Sequence, residues 1–89
     1  MKDIIIVGAG SFGREMYYLI KSINAVSPRW NIKGFINDIP VDLKSKKITV
    51  PIIGTIKDWY PSENEVFAMG IASPHGKEKV AMLLKPNQE

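Results

Sequence analysis

The chain contains no cysteine, which excludes disulfides and thiolate metal sites. It contains one histidine, His75. That residue sits between Pro74 and Gly76 near an expected helix start. No serine or cysteine nucleophile with an orienting acid accompanies it. Carboxylate pairs and metal-ligand spacings are also missing, so no catalytic residue and no metal site is expected. No apolar run approaches the length that spans a membrane, and Ile4–Val7 is too short for a signal-peptide core. The expected first strand begins almost at Met1, leaving no room for a leader, so the expected location is cytoplasmic. Charge is mild, at +3. Lys44, Lys46 and Lys47 cluster without interleaved aromatics, as in a solvated loop, so neither a nucleic-acid nor a membrane partner is expected. There are no internal repeats and no low-complexity tract.

What the chain does have is an ordinary globular composition, 45% hydrophobic and 24% charged, over 89 residues. This is enough for one small domain, 1–89. It is organised around Ile4-Ile5-Ile6-Val7-Gly8-Ala9-Gly10-Ser11-Phe12-Gly13. Four β-branched residues running into a glycine-rich turn read as a strand buried on both faces. Gly8, Gly10 and Gly13 have the G-x-G-x-x-G spacing. In that pattern Gly8 permits the tight turn, Gly10 lets a phosphate approach the backbone, and Gly13 lets the next helix pack on the sheet. A helix opening at Ser11 presents N–H groups and a positive dipole end to an anion. A purely structural strand-to-helix turn is the competing reading.

Phe12, Met16, Leu19, Ile20 and Ile23 recur at helical spacing and predict a core-facing stripe of about four turns, with Tyr17 and Tyr18 flanking it. Trp30–Ile36 reads as a second strand, with Gly34 marking a close approach by the glycine turn. Ile39 to Val50 is a polar, lysine-rich connection. Pro51–Gly54 predicts a short edge strand, and Thr55 caps a short helix carrying Ile56 and Trp59. Trp59 is expected over the sheet as a core or lid residue. Glu65–Ile71 is the last strand, followed by a helix from Ser73-Pro74 whose Lys77, Val80, Ala81 and Leu84 share a face. The predicted fold is α/β: a small Rossmann-like three-layer domain with a short parallel sheet of about four strands, built on a right-handed βαβ unit.

In half a Rossmann sheet the first and last strands are neighbours whose connections leave in opposite directions. Gly8, Gly10, Ser11, Phe12 and Gly13, then Asn37 and Asp38, then Ala72 and Ser73 would meet at that crevice as the substrate-binding set. A dinucleotide site usually ends its second strand in an acid that takes the ribose. Here Asn37 and Asp38 either do the equivalent for a uracil or ribose edge, or simply form an Asx turn.

Together these segments resemble the N-terminal, PglD-like domain of bacterial sugar O- and N-acyltransferases of the sialic-acid O-acetyltransferase and UDP-4-amino-sugar N-acetyltransferase type. Ile4 to Glu15 resembles the family's strand and its G-A-G-G-H-G-K-E turn, with Phe12 where histidine is common. Gly34-Phe35-Ile36-Asn37-Asp38 is similar to G-F-x-D-D, with Asn37 in place of the first acid. Val50–Trp59 is similar to P-V-L-G-T-x-x-D, and Phe67–Pro74, with Lys77 or Lys79 after it, resembles the strand before a basic helix. The resemblance implies a domain that holds a UDP-sugar or related nucleotide sugar. Acetyl-CoA would be the co-substrate of the parent enzyme. A left-handed β-helix domain, absent here, would bind it, carry the catalytic histidine and form a homotrimer. On this reading the chain alone is inactive, a monomer or weak dimer, and binds no cofactor tightly. The rivals are an NAD(P)-binding fragment of a reductase and a non-catalytic interaction module.

Overall fold

A computed structural model describes residues 1–71. β1 (Lys2–Val7) leads through the glycine turn to α1 (Ser11–Val26), then to β2 (Trp30–Ile36). A 3-10 turn (Lys44–Lys46) precedes β3 (Ile52–Gly54), and β4 (Glu65–Met69) follows. All pairings are parallel, in the order β3-β2-β1-β4. β1 is therefore flanked on both sides. Its Ile5, Ile6 and Val7 are fully buried, which explains the unbroken apolar run where an alternating one would suit a half-exposed strand. The α/β Rossmann-like prediction holds, and the first and last strands are neighbours. Ala72, Ser73, His75 and the predicted helix after Ser73 lie outside the described residues.

The two sheet faces carry separate cores. Ile4, Ile6, Phe35 and Ala68 pack with Tyr17 and Ile20 of α1 on one face. Ile5, Val7 and Ile36 pack with Ile56 on the other, with Trp59 alongside. Burying one such isoleucine is worth about 1.5–3 kcal/mol.

Four local expectations need correction. The buried face of α1 is Gly13, Tyr17 and Ile20, whereas Phe12 and Leu19 are exposed. Tyr17 wins the core because its ring meets Phe35 at 5.9 Å while its hydroxyl reaches Thr49 Oγ1 at 3.5 Å. The small Gly13 lets that side approach the sheet. Gly34 is crowded by β3 and not by the glycine turn: a Cβ there would lie 2.7 Å from the Pro51 carbonyl oxygen. The 39–50 connection is less polar in effect than its composition, since it delivers Leu43 and Ile48 to the core. Its lysines, 44, 46 and 47, are exposed. Finally, Thr55 starts a turn and not a helix. Its Oγ1 accepts from the Asp58 N–H at 3.2 Å and donates to Asp58 Oδ2 at 3.3 Å, the contacts of a cap, but only a turn over residues 56–58 follows.

Candidate functional site

The glycine turn lies at the carboxyl end of β1, between the ends of β2 and β4. The Gly8 N–H donates to the Ile36 carbonyl and the Gly70 N–H to the Val7 carbonyl, each at 2.8 Å. Three strand ends are thus tied to one point. Gly8 adopts φ +95°, a left-handed conformation that L side chains rarely adopt. Gly13 is pressed onto it: a Cβ at position 13 would fall 2.0 Å from the Gly8 carbonyl oxygen. Gly10 differs from both. Among the described residues a Cβ there would meet nothing within 4 Å.

Gly10 is the N-cap of α1, no side chain caps the helix, and no acidic residue stands in the first turn. Gly10, Ser11 and Phe12 are exposed, while Gly13 is buried. Among the described residues no carboxylate competes for the positive end of this 16-residue helix, an arrangement that favours an anion.

Asn37 belongs to the turn itself. Its Oδ1 accepts from the Ala9 N–H at 3.0 Å, and its Nδ2 donates to the Ile39 carbonyl. Asp38 turns the other way. Its Oδ1 accepts from the N–H groups of Ile56 at 2.8 Å and Lys57 at 3.3 Å, fixing the turn after β3. The structure therefore brings Gly8, Gly10, Ser11, Phe12, Gly13 and Asn37 together and directs Asp38 toward β3.

Arg14 was not singled out by the sequence reading. Its Nη1 donates to the Ala9 carbonyl at 3.1 Å. Among the described residues it has no carboxylate partner. A cation one position beyond G-x-G-x-x-G was the available signal.

Among the described residues, two cavities lie away from the turn. One, of about 370 Å³, is lined by Tyr17, Lys21, Trp30 and Asn31 at the amino end of the sheet. The other, of about 240 Å³, lies under Val41–Ile52. The perturbed titrating pair, Lys33 and Glu65, is also at the amino end, remote from the crevice. Among the described residues no group of His, Cys, Asp or Glu could hold a metal ion, and no helix is long and apolar enough to cross a membrane.

A parallel α/β sheet with a glycine turn opening into an uncapped helix at its switch point defines a Rossmann-like domain. The family model of the PglD N-terminal domain matches residues 3–84, and the chain belongs to that family. Comparison with curated proteins finds no match.

Proposed function

We propose that this domain holds the nucleotide-sugar substrate of a sugar acetyltransferase, with the diphosphate against the backbone of Gly10 to Gly13. The observation that carries the reading is the contrast among the turn's glycines. Gly8 and Gly13 are glycine because the fold demands it, whereas among the described residues a Cβ at Gly10 would meet nothing, which leaves room for a phosphate to approach the backbone. Membership of the PglD N-terminal family supports a sugar-nucleotide ligand. A UDP-linked sugar is the expected form. Acetyl transfer from acetyl-CoA would take place on a separate β-helix domain of the parent protein, at a trimer interface.

The test is calorimetry with UDP, UDP-N-acetylglucosamine and NADH on wild type and Gly10→Val. Valine at an extended N-cap position costs the fold no more than about 1 kcal/mol. The variant should remain folded and lose UDP binding. NADH binding more tightly than either UDP compound would assign the turn to a dinucleotide. Unchanged UDP affinity in Gly10→Val would place the ligand elsewhere.

A further inference from the structure

The amino end of the sheet, opposite the glycine turn, holds a cavity shaped by Asn24. The Asn24 Nδ2 donates to the Trp30 carbonyl at 2.9 Å, and its Oδ1 accepts from the Arg29 N–H at 2.9 Å and the Trp30 N–H at 3.3 Å. The end of α1 is thereby latched to the start of β2, and the gap between them is fixed. The cavity measures about 370 Å³, within the range of small-molecule sites.

Its wall combines an apolar body with a few directed polar groups, the make-up of a ligand site. Trp30, Ile32 and Val50 supply half-buried apolar surface that packs on the core beneath. An indole in the wall suits a flat ring. Lys21 is the one charged side chain among the lining residues. Its Nζ stands 5.7 Å from the centroid of the Tyr17 ring, and no carboxylate pairs with it among the described residues. The Tyr17 hydroxyl and Thr49 Oγ1 are 3.5 Å apart. Such a pair shares a single proton, which leaves one hydroxyl hydrogen for a further acceptor. An ammonium and a hydroxyl donor therefore flank the same ring, and both suit an oxyanion.

We infer that this cavity binds an organic anion with a flat apolar body, an aromatic carboxylate, its ring against Trp30 and its carboxylate toward Lys21 and Thr49. The site lies at the other end of the sheet from the glycine turn and stands independently of the nucleotide reading.

Two-dimensional amide NMR on the 89-residue chain, with indole-3-acetate as the probe, tests it. The Trp30 indole and Thr49 amide signals should shift saturably, with a Kd on the order of millimolar. Trp59, packed on the opposite sheet face, should hold still. Tryptophol carries the same ring with a neutral hydroxyl, and tryptamine carries it with an ammonium. The alcohol should bind at least about threefold more weakly than the acid, and the amine more weakly still. Lys21 is exposed, so Lys21→Gln should stay folded, as checked by a thermal melt, and should erase the preference for the acid. Lys21→Arg should keep it. No saturation by about 10 mM acid overturns the inference. So do shifts centred on Trp59 or on the glycine turn. Equal binding of acid and alcohol, or an undiminished preference in Lys21→Gln, overturns it too.

Discussion

Gly13 and Gly10 stand three positions apart and answer to opposite demands. A methyl group on Gly13 would sit 2.0 Å from a backbone oxygen, and neither the strand end nor the helix start can give way without breaking the Gly8 and Gly70 bonds. Gly13→Ala should cost more than about 3 kcal/mol, the upper end for overpacking, and a thermal melt should show little or no folded protein. Asn37→Ala strips partners from the Ala9 N–H and the Ile39 carbonyl. It should destabilise by about 1–3 kcal/mol, while Asn37→Asp, which keeps the acceptor and loses the donor, should cost less in the same denaturant titration. The structural roles of Gly8 and Gly13 were legible from spacing alone, because each follows from the absence of a Cβ at a fixed offset from the strand. The partner of Asn37 was not, because it is a backbone N–H 28 positions earlier and becomes adjacent only once β1 and β2 pair.

At the scale of the elements, β2 carries one extra residue opposite β1. Ile4 pairs with Ile32, but Ile5 pairs with Gly34, so Lys33 is bulged out of the ladder. Its ammonium spans β1 to meet Glu65 of β4 at 2.8 Å. The Glu65 side chain is 3% exposed and also accepts from Trp59 Nε1 at 3.1 Å and the Ser62 N–H at 3.2 Å. Burial pushes the Glu65 carboxyl up, but the hydrogen bonds from Lys33, Trp59 and Ser62 outweigh it and hold the group below the ordinary carboxylate value. The hydrogen bond to Glu65 raises Lys33 above its ordinary value. A depressed carboxyl stabilises the fold above its ordinary pKa, and that contribution is lost as pH falls through the folded value. A raised ammonium stabilises below its ordinary pKa, and that contribution is lost as pH rises through the folded value. Glu65→Gln should therefore melt lower than wild type at pH 7 and lose less on acidification from about pH 5 to pH 3. Parallel melts across that range decide it. Nothing in the sequence marked this staple, since a bulge changes which face Lys33 occupies without changing the pattern of residue types. The orientation of α1 was obscured differently: Phe12-Met16-Leu19 and Gly13-Tyr17-Ile20 are both apolar at helical spacing, and only the packing against Phe35 separates them.

Among the described residues, α1 turns Phe12, Leu19 and Val26 outward, seven positions apart. Three partly exposed side chains fall well short of the roughly 800 Å² per partner that a stable interface buries. Light scattering at micromolar concentration should find a monomer or weak dimer, and a stable trimer would contradict this. Catalysis is the second whole-molecule question. Acetyl transfer to a sugar amine or hydroxyl needs a base to take the acceptor proton and a site for the thioester carbonyl. Among the described residues the crevice offers backbone N–H groups, a guanidinium and a neutral amide, with no such base oriented by a partner. Binding and chemistry should therefore separate: the 89-residue chain should bind UDP-sugar and release no CoA from acetyl-CoA in its presence. The absence of cysteine makes the measurement direct, because every thiol that a disulfide reagent detects must come from released CoA. Sustained thiol release, proportional to protein and dependent on an amino- or hydroxy-sugar nucleotide, would show that this domain performs the transfer itself.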